Sequence, residues 1–333
     1  MEEFSTYKIF TQLKQRSSIK DCLSVAPLPF SKKHKIGISG EGFPMFFIEC
    51  DGIGYSLDTN LEYISVQFNR QCQLFQEDEK KNEQTIHNTY TIISLKTDEI
   101  DFLQYFIEVV SLVLSSLPEC PTHAQLKVEL KKLIDLFSRF NKPPRRTIQG
   151  LWAELLVIEQ AKYPEYLIQS WHVSPEDKFD FNDSRDKIEV KSTSKSRRIH
   201  SFSAEQLNPN RNSNLLIASV FVIQTGIGKN IFDLVQSICI KVTNPALQFR
   251  LNEIIGQTLG QDFDKSAGVR FDYQQAIDTL NYFDFNHIPT IQTSNIPETI
   301  SNVHFDCDLT NTPSISATNL DVSLSPLFKS IDL

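Results

Sequence analysis

The chain has 333 residues, a net charge of −8, 40% hydrophobic and 22% charged residues, which is the composition of a globular protein rather than a disordered one. Its longest apolar run, residues 100–117, is interrupted by Asp101, Gln104 and Glu108 and is shorter than the ~20 residues of a membrane span; with no signal-like leader either, we expect a soluble cytoplasmic protein without a membrane partner. The six cysteines form no Cys-x-x-Cys pair, which argues against a zinc ribbon or a disulfide framework and favours buried free thiols.

Residues 1–95 predict a small β-rich N-terminal domain. A short amphipathic helix at 7–13 comes first, and the polar run at 76–84 is typical of an exposed loop or a hairpin tip. Segments rich in β-branched and aromatic residues predict strands at 36–40, 45–50, 63–68 and 90–95.

Residues 96–144 predict a helical connector. Thr97 is a candidate cap for a first helix that stops before Pro118. Thr122 is the candidate start of a second helix, which runs to about Phe140 with leucines at helical spacing. The pair of prolines that follows Asn141-Lys142 marks a domain boundary, since proline cannot continue a helix.

Residues 145–260 predict a mixed α/β core, and residues 261–333 a C-terminal extension of helix and strand. Thr147 is expected to cap a helix whose Glu154 points toward protein, because its neighbours on that face are small or apolar. The other predicted elements are strands at 166–173, 178–181, 187–192, 215–223 and 303–309, and helices near 203–207, 231–242, 245–259 and 273–283.

The most informative pattern is Asp180 followed, after eight residues, by Glu189-Val190-Lys191. Glu189 and Lys191 leave the same face of a strand because side chains alternate along it. Paired carboxylates suit Mg²⁺, and an amine beside them suits the handling of water or phosphate. Glu154 also needs a partner, for which a metal, Lys191 and a helix end are equal alternatives.

The pattern resembles the PD-(D/E)XK, or restriction-endonuclease-like, nuclease superfamily. More narrowly, G-L-W-A-E at 150–154, F-D-F at 179–181, E-V-K-S-T at 189–193 and H-S-F-S-A-E-Q-L at 200–207 resemble a bacterial PD-(D/E)XK-motif family found beside methyltransferases and ATPases in phage-defence clusters. The resemblance covers roughly residues 145–245. It implies a restriction-endonuclease-like core, with a mixed central sheet flanked by helices.

The resemblance also implies roles for the motif residues. Asp180, Glu189, Glu154 and the Val190 carbonyl would hold Mg²⁺, for which Mn²⁺ could substitute. Lys191 would orient or deprotonate the attacking water or stabilise charge on the phosphate, although a salt bridge to Glu189 or Glu154 is an alternative.

Further residues join the predicted site on weaker signals. Gln206 resembles a polar residue that some members place after the E-x-K strand, with a helix-cap interaction as the alternative. Residues 185–211 carry seven basic residues against three acidic ones, which fits either a solvated loop or phosphate contact. The candidate DNA-binding residues are Lys195, Arg197, Arg198 and His200.

These observations favour a Mg²⁺-dependent DNA endonuclease, the cutting subunit of a restriction or anti-phage system. Its expected partners are double-stranded DNA, methyltransferase and ATPase subunits, and a second copy of the chain if both DNA strands are cut. The alternative is a catalytically inactive DNA-docking or interaction subunit, consistent with the acidic net charge. RNA as the substrate is a third hypothesis.

Overall fold

A computed structural model describes residues 5–16, 23–52, 54, 56–77, 83–97, 100–172, 177–209, 213–315 and 326–332. The chain is a mixed α/β protein that divides into two compact units, residues 1–143 and 144–333. Within the described ranges, every helix is too short or too polar to cross a membrane.

The first unit is built on one six-stranded sheet, with one helix before its strands in the sequence and two helices after them. Its elements are α1 (Thr6–Arg16), β1 (Leu23–Leu28), β2 (Ser31–Ile38), β3 (Pro44–Ile48), β4 (Thr59–Asn60), β5 (Ile64–Glu77), β6 (Glu83–Leu95), α2 (Ile100–Ser115) and α3 (His123–Phe137). The strand order is β1-β2-β3-β6-β5-β4, and β1 also pairs with β5 in parallel. Five strands therefore form a closed ring, with β4 attached at its side.

Several predicted elements of this unit are confirmed. Thr122 caps α3 through a reciprocal pair of hydrogen bonds with Gln125, as its residue type and position predicted. Strands β5 and β6 form an antiparallel hairpin out to Glu77 and Glu83; the predicted tip, residues 78–82, lies outside the described residues. Of the described cysteines, only Cys307 is buried as predicted. The prediction of buried thiols is wrong for Cys120, which is exposed, and holds only in part for the half-buried Cys50, Cys72 and Cys239.

The second unit carries the motif residues. Its elements are α4 (Ile148–Gln160), α5 (Pro164–Ser170), β7 (Phe181–Asn182), β8 (Asp186–Thr193), β9 (Ile199–Ser203), β10 (Asn214–Phe221), β11 (Gln224–Thr225), α6 (Ile231–Lys241), α7 (Pro245–Leu259), α8 (Phe263–Ala267), β12 (Arg270–Phe271), α9 (Tyr273–Thr279), β13 (Asn281–Asp284), β14 (His304–Asp308) and α10 (Pro326–Ser330). A four-stranded mixed sheet has the order β13-β10-β8-β7, with β8 and β10 parallel. Helix α4 packs on β8 and α6 and is buried from Leu151 to Glu159.

The predicted strand at 166–173 is wrong. Its residues are good strand formers, but Pro164 stands at the first position of helix α5, and Pro164, Leu167 and Ile168 are buried at helical spacing. Within the described part of this segment, residues 166–172, only Trp171 keeps strand character, through an isolated antiparallel bridge to Phe181; residue 173 lies outside the described residues.

Two predicted helices also differ from the structure. Residues 204–207 form turns, and the segment before them is strand β9, because the alternation of buried His200 and Phe202 with more exposed neighbours satisfies a strand. The helix predicted at 273–283 ends at Thr279, and residues 281–284 form β13 at the edge of the sheet.

Candidate metal and catalytic site

Glu189 and Lys191 lie on one face of β8, as strand alternation requires. The Lys191 Nζ lies 2.9 Å from the Glu189 Oε1, and the two side chains are 19% and 5% exposed. Parallel pairing of β8 with β10 sets Glu189 opposite Ile217 and Lys191 opposite Ser219. The position of both groups is therefore fixed by a central strand of the sheet.

Asp180 directly precedes β7 and lies against β8. Its Oδ2 accepts a 2.7 Å hydrogen bond from the backbone N–H of Val190. Its side chain is buried, as are the flanking Phe179 and Phe181. Asp180 therefore meets the Glu189-Val190-Lys191 segment from the neighbouring strand.

Glu154 enters the site from the middle of α4. Its Oε2 accepts a 2.7 Å hydrogen bond from the indole N–H of Trp171, and its Oε1 lies 2.7 Å from the Arg146 Nη1. Arg146 also pairs with Asp180. This guanidinium, just before the helix cap Thr147, bridges two of the three carboxylates that we call the acidic site: Glu154, Asp180 and Glu189.

His172, like Arg146, lies in the site although the sequence pattern does not predict it. Its backbone N–H donates to the carbonyl of Asp180 at 2.9 Å, and its Nδ1 lies 3.5 Å from the Glu154 Oε2. One atom each from Glu154, His172 and Asp180 lie within 4.8 Å of one another. The chain offered little local signal for Arg146 or His172, because each reaches the acidic site only through the fold.

Gln206 lies in the site, on a turn rather than a helix. Its side-chain amide donates to the Glu189 Oε1 at 2.7 Å, and its Oε1 lies 3.4 Å from the Lys191 Nζ. The same Oε1 accepts from the Ser203 N–H, while the Gln206 N–H donates to the Ser203 hydroxyl. The sequence left two alternatives for Gln206, a contact with the site residues and a helix-cap interaction. The structure shows the site contact together with a cap-like contact.

Burial and mutual repulsion perturb the titration of the acidic site. Burial, reinforced by Asp180, raises the pKa of Glu154 well above its ordinary value against the opposing effect of Arg146. Burial and Asp180 likewise raise the pKa of Glu189 to about 7, with Lys191 opposing. Burial disfavours the charge of Arg146, but Asp180 and Glu154 outweigh it and raise the pKa of the guanidinium. Glu154 and Glu189 therefore lose their protons at higher pH than ordinary glutamates do.

The four candidate DNA-binding residues fall into two pairs. Arg198 and His200 are buried; the Arg198 guanidinium donates to the Ser219 carbonyl at 2.8 Å, and the His200 Nε2 lies 2.7 Å from the Ser219 hydroxyl. Lys195 and Arg197 are exposed, with Arg197 paired to Asp308. Their role in DNA binding stays a prediction; in this structure only the second pair presents charge at the surface.

The residues fit a divalent cation. Three carboxylates meet two cationic side chains, Arg146 and Lys191, in the described structure around the site. Moreover, the Glu189 Oε2 and the His172 Nδ1 are buried and lack a hydrogen-bond partner within the described ranges, whereas buried polar groups are nearly always partnered. Three buried carboxylates and two buried ligand atoms that are unpartnered in the described structure form a donor set that a divalent cation would satisfy.

The fold and the site define a class: a mixed α/β protein in which a buried Asp, Glu and Lys, in the D…E-x-K pattern, meet at a parallel strand pair. The model of a family described as "Putative PD-(D/E)XK family member, (DUF4420)" matches residues 52–310. The chain belongs to this family, which confirms the resemblance drawn from the motifs. No curated protein and no solved structure matches the chain.

Proposed function

We propose that the protein is a divalent-metal-dependent DNA endonuclease. The observation that carries the proposal is the convergence of Glu154, Asp180, Glu189 and Lys191, from one helix and two strands, on one buried site. Membership of the PD-(D/E)XK family supports the same reaction class.

The proposal includes a restriction-endonuclease-like core. Helix α4 against β8, and the mixed order β13-β10-β8-β7, support this assignment. In such a core the acidic residues come from α4 and from the strands at one end of the sheet. Fold alone does not specify function, so the argument for hydrolysis rests on the site.

In this mechanism Asp180, Glu189 and Glu154 would hold Mg²⁺ or Mn²⁺, with the Val190 carbonyl as a further ligand. When bound, the cation would supply Lewis acidity, which would lower the pKa of water and offset charge on a phosphoryl oxygen. Lys191 orients the attacking water or neutralises charge on the phosphate, since its ammonium is partly open to solvent. Gln206 holds Glu189 and Lys191 in position through one amide.

The biological setting is also a proposal. We propose double-stranded DNA as the substrate, with Lys195 and Arg197 contacting backbone phosphates, which position DNA without reading its sequence. We further propose that the protein acts in the cytoplasm, with methyltransferase and ATPase subunits of a restriction or anti-phage system. One site per chain implies a homodimer if both strands are cut.

Cleavage of supercoiled plasmid with Mg²⁺ or Mn²⁺ tests the proposal. We expect nicking or linearisation by the wild type and none by Asp180→Asn, which removes a carboxylate charge while keeping its shape. Asp306→Asn is the matched control, since Asp306 is an exposed acid of the same unit. A wild type that cuts neither DNA nor RNA with either cation, or an Asp180→Asn variant that cuts normally, would reject the proposed function.

One observation favours a second candidate function, a non-cutting DNA-docking subunit. Arg146 pairs with both Glu154 and Asp180, so the protein itself already balances part of their negative charge. If Arg146 held them permanently, Mg²⁺ and Mn²⁺ would not bind. Calorimetric titration with either cation separates the two functions, because only the enzyme requires binding that Asp180→Asn abolishes.

A further inference from the structure

We infer that His172 is a nitrogen ligand of the metal site, and that the site therefore takes Mn²⁺ in preference to Mg²⁺. The inference rests on the proposed function, since it concerns the same site. It goes beyond the D…E-x-K pattern, whose residues supply oxygen ligands and an amine. Nothing in that pattern predicts an imidazole.

The first support is distance. The His172 Nδ1 lies 3.5 Å from the Glu154 Oε2, and the Asp180 carboxylate completes a group within 4.8 Å. Two ligands that share one cation at about 2.0–2.2 Å are separated by about 2.9–3.6 Å for octahedral to tetrahedral angles. The imidazole and the Glu154 carboxylate therefore already have the spacing of neighbouring ligands.

The second support is the unpartnered nitrogen. The side chain of His172 is 9% exposed, and its Nδ1 is a buried atom without a hydrogen-bond partner in the described structure. A buried ring nitrogen without a donor or acceptor is unfavourable unless a ligand uses its lone pair.

The third support is the way His172 is fixed. Its backbone N–H donates to the Asp180 carbonyl, and the preceding Trp171 donates its indole N–H to Glu154. The Trp171-His172 pair is thus tied to the carboxylate of Glu154 and to the backbone of Asp180, the two acidic residues of the group. Such contacts hold ligands in place before a cation arrives, which raises affinity and selectivity.

The chemistry of the ligand set determines the cation. Carboxylates serve both Mg²⁺ and Mn²⁺, but imidazole is a ligand for first-row transition ions and a poor one for Mg²⁺, which demands oxygen. One nitrogen among carboxylates should therefore tilt the site toward Mn²⁺ without excluding Mg²⁺. Without His172 the remaining ligands are all oxygen, and the preference should fall.

Pulsed electron paramagnetic resonance of the Mn²⁺-loaded full-length protein tests the inference directly. We expect ¹⁴N modulation from a coordinated imidazole in the wild type and in His304→Gln, which alters an exposed histidine of the same unit. We expect no such modulation in His172→Gln. A wild-type protein that binds no Mn²⁺, or binds it without ¹⁴N modulation, overturns the inference, and neither result depends on any variant folding.

Calorimetry provides the second readout. His172→Gln should weaken Mn²⁺ binding by about tenfold or more and Mg²⁺ binding by less, so that the ratio of the two affinities falls. An unchanged ratio would overturn the inference. A protein that shows ¹⁴N modulation but cuts no nucleic acid would contradict the proposed function and support His172 as a metal ligand. A protein that cuts DNA without ¹⁴N modulation would support the proposed function and contradict His172 as a ligand.

Discussion

At the scale of single residues, Arg146 sets the charge balance of the acidic site. It is the cation that contacts both Glu154 and Asp180, which are 2% and 1% exposed, while its own side chain is 32% exposed. A buried acid without a counter-charge is strongly destabilising. Arg146 therefore stabilises the cation-free protein, and a bound divalent cation would share the same carboxylates.

Arg146→Gln should lower the free energy of unfolding of the cation-free protein by about 2–3 kcal/mol, because two buried acids lose their common partner. Saturating Mn²⁺ should restore part of this loss, measured by chemical denaturation with and without the cation. Arg145→Gln is the control, since Arg145 is exposed and outside the acidic site. Equal effects of the two substitutions would contradict the assigned role.

Protonation of Glu154 and Glu189 makes the folding stability of the protein depend on pH. The folded-state pKa values of Glu154 and Glu189 are raised, that of Glu189 from 4.5 to about 7. The protonated form of each group therefore favours folding. For Glu189 this contribution to stability is complete below about pH 4.5 and is lost as the pH rises through about 7; the contribution of Glu154 is likewise lost as the pH rises. A divalent cation needs the deprotonated carboxylates, so its binding must release protons.

The increase in melting temperature caused by Mn²⁺ should accordingly be larger at about pH 8 than at about pH 6. Differential scanning calorimetry at both pH values, at fixed Mn²⁺ concentration, measures it. Glu189→Gln removes one titrating group and should reduce the difference between the two values. An increase that is the same at both pH values in the wild type would count against these protonation states.

At the scale of secondary-structure elements, Arg198 joins three of them. From the start of β9 its guanidinium donates to the Ser219 carbonyl and hydroxyl on β10, both at 2.8 Å, and to the Thr279 carbonyl at the end of α9. The ring of Phe221 lies 4.6 Å from its guanidinium carbon. A residue predicted to contact DNA has a structural role here.

Arg198→Met should therefore destabilise the protein by about 2 kcal/mol or more, since it leaves buried carbonyls without a charged donor. Lys195→Ala, a few residues away and exposed, should change stability by less than about 0.5 kcal/mol. Urea denaturation of both variants measures the difference. An Arg198→Met variant as stable as the wild type would return Arg198 to the list of DNA-binding candidates.

The sequence predicted correctly those elements whose first and last residues are set by local features, such as a capping residue or a proline. The Pro245–Leu259 helix and the Thr122 and Thr147 caps match the structure, because proline, capping residues and helical spacing act within a few residues. The sequence predicts a strand where helix α5 lies, because Tyr, Ile and Trp favour strands. In the folded protein the tertiary burial of Leu167 and Ile168 outweighs that preference.

The residues of the acidic site divide in the same way: local patterns predict some of them, and tertiary packing alone places the others. Glu189 and Lys191 could be placed on one face from alternation alone, and a buried Glu154 followed from the helix pattern. The bridge made by Arg146 and the approach of His172 depend on how α4, α5 and β8 pack together. No spacing rule connects those residues, so only the folded structure reveals them.

At the scale of the whole molecule, the family match begins inside the first unit and ends inside the second, at residues 52 and 310. Residues 52–143 of the first unit are therefore part of what the family shares, together with most of the unit that carries the acidic site. The net charge of −8 makes non-specific DNA binding over the whole surface unfavourable. The proposed DNA binding therefore requires local positive groups.

Lys195→Ala should weaken DNA binding and lower the slope of the logarithm of affinity against the logarithm of salt concentration by about 1, as expected for one lost phosphate contact. Fluorescence anisotropy over a series of salt concentrations gives the slope. Lys127→Ala, an exposed lysine on α3 of the other unit, should leave the slope unchanged. A Lys195→Ala slope equal to that of the wild type would remove Lys195 from the DNA surface.

The central claim is that the acids and Lys191 form one hydrolytic centre, and the most direct test separates metal binding from cutting. Plasmid cleavage and calorimetric Mn²⁺ binding should be measured together on wild type and Lys191→Gln. We predict that the variant still binds Mn²⁺ but cuts at least about 100-fold more slowly. A Lys191→Gln variant that cuts at the wild-type rate, with Mn²⁺ bound, would contradict the account.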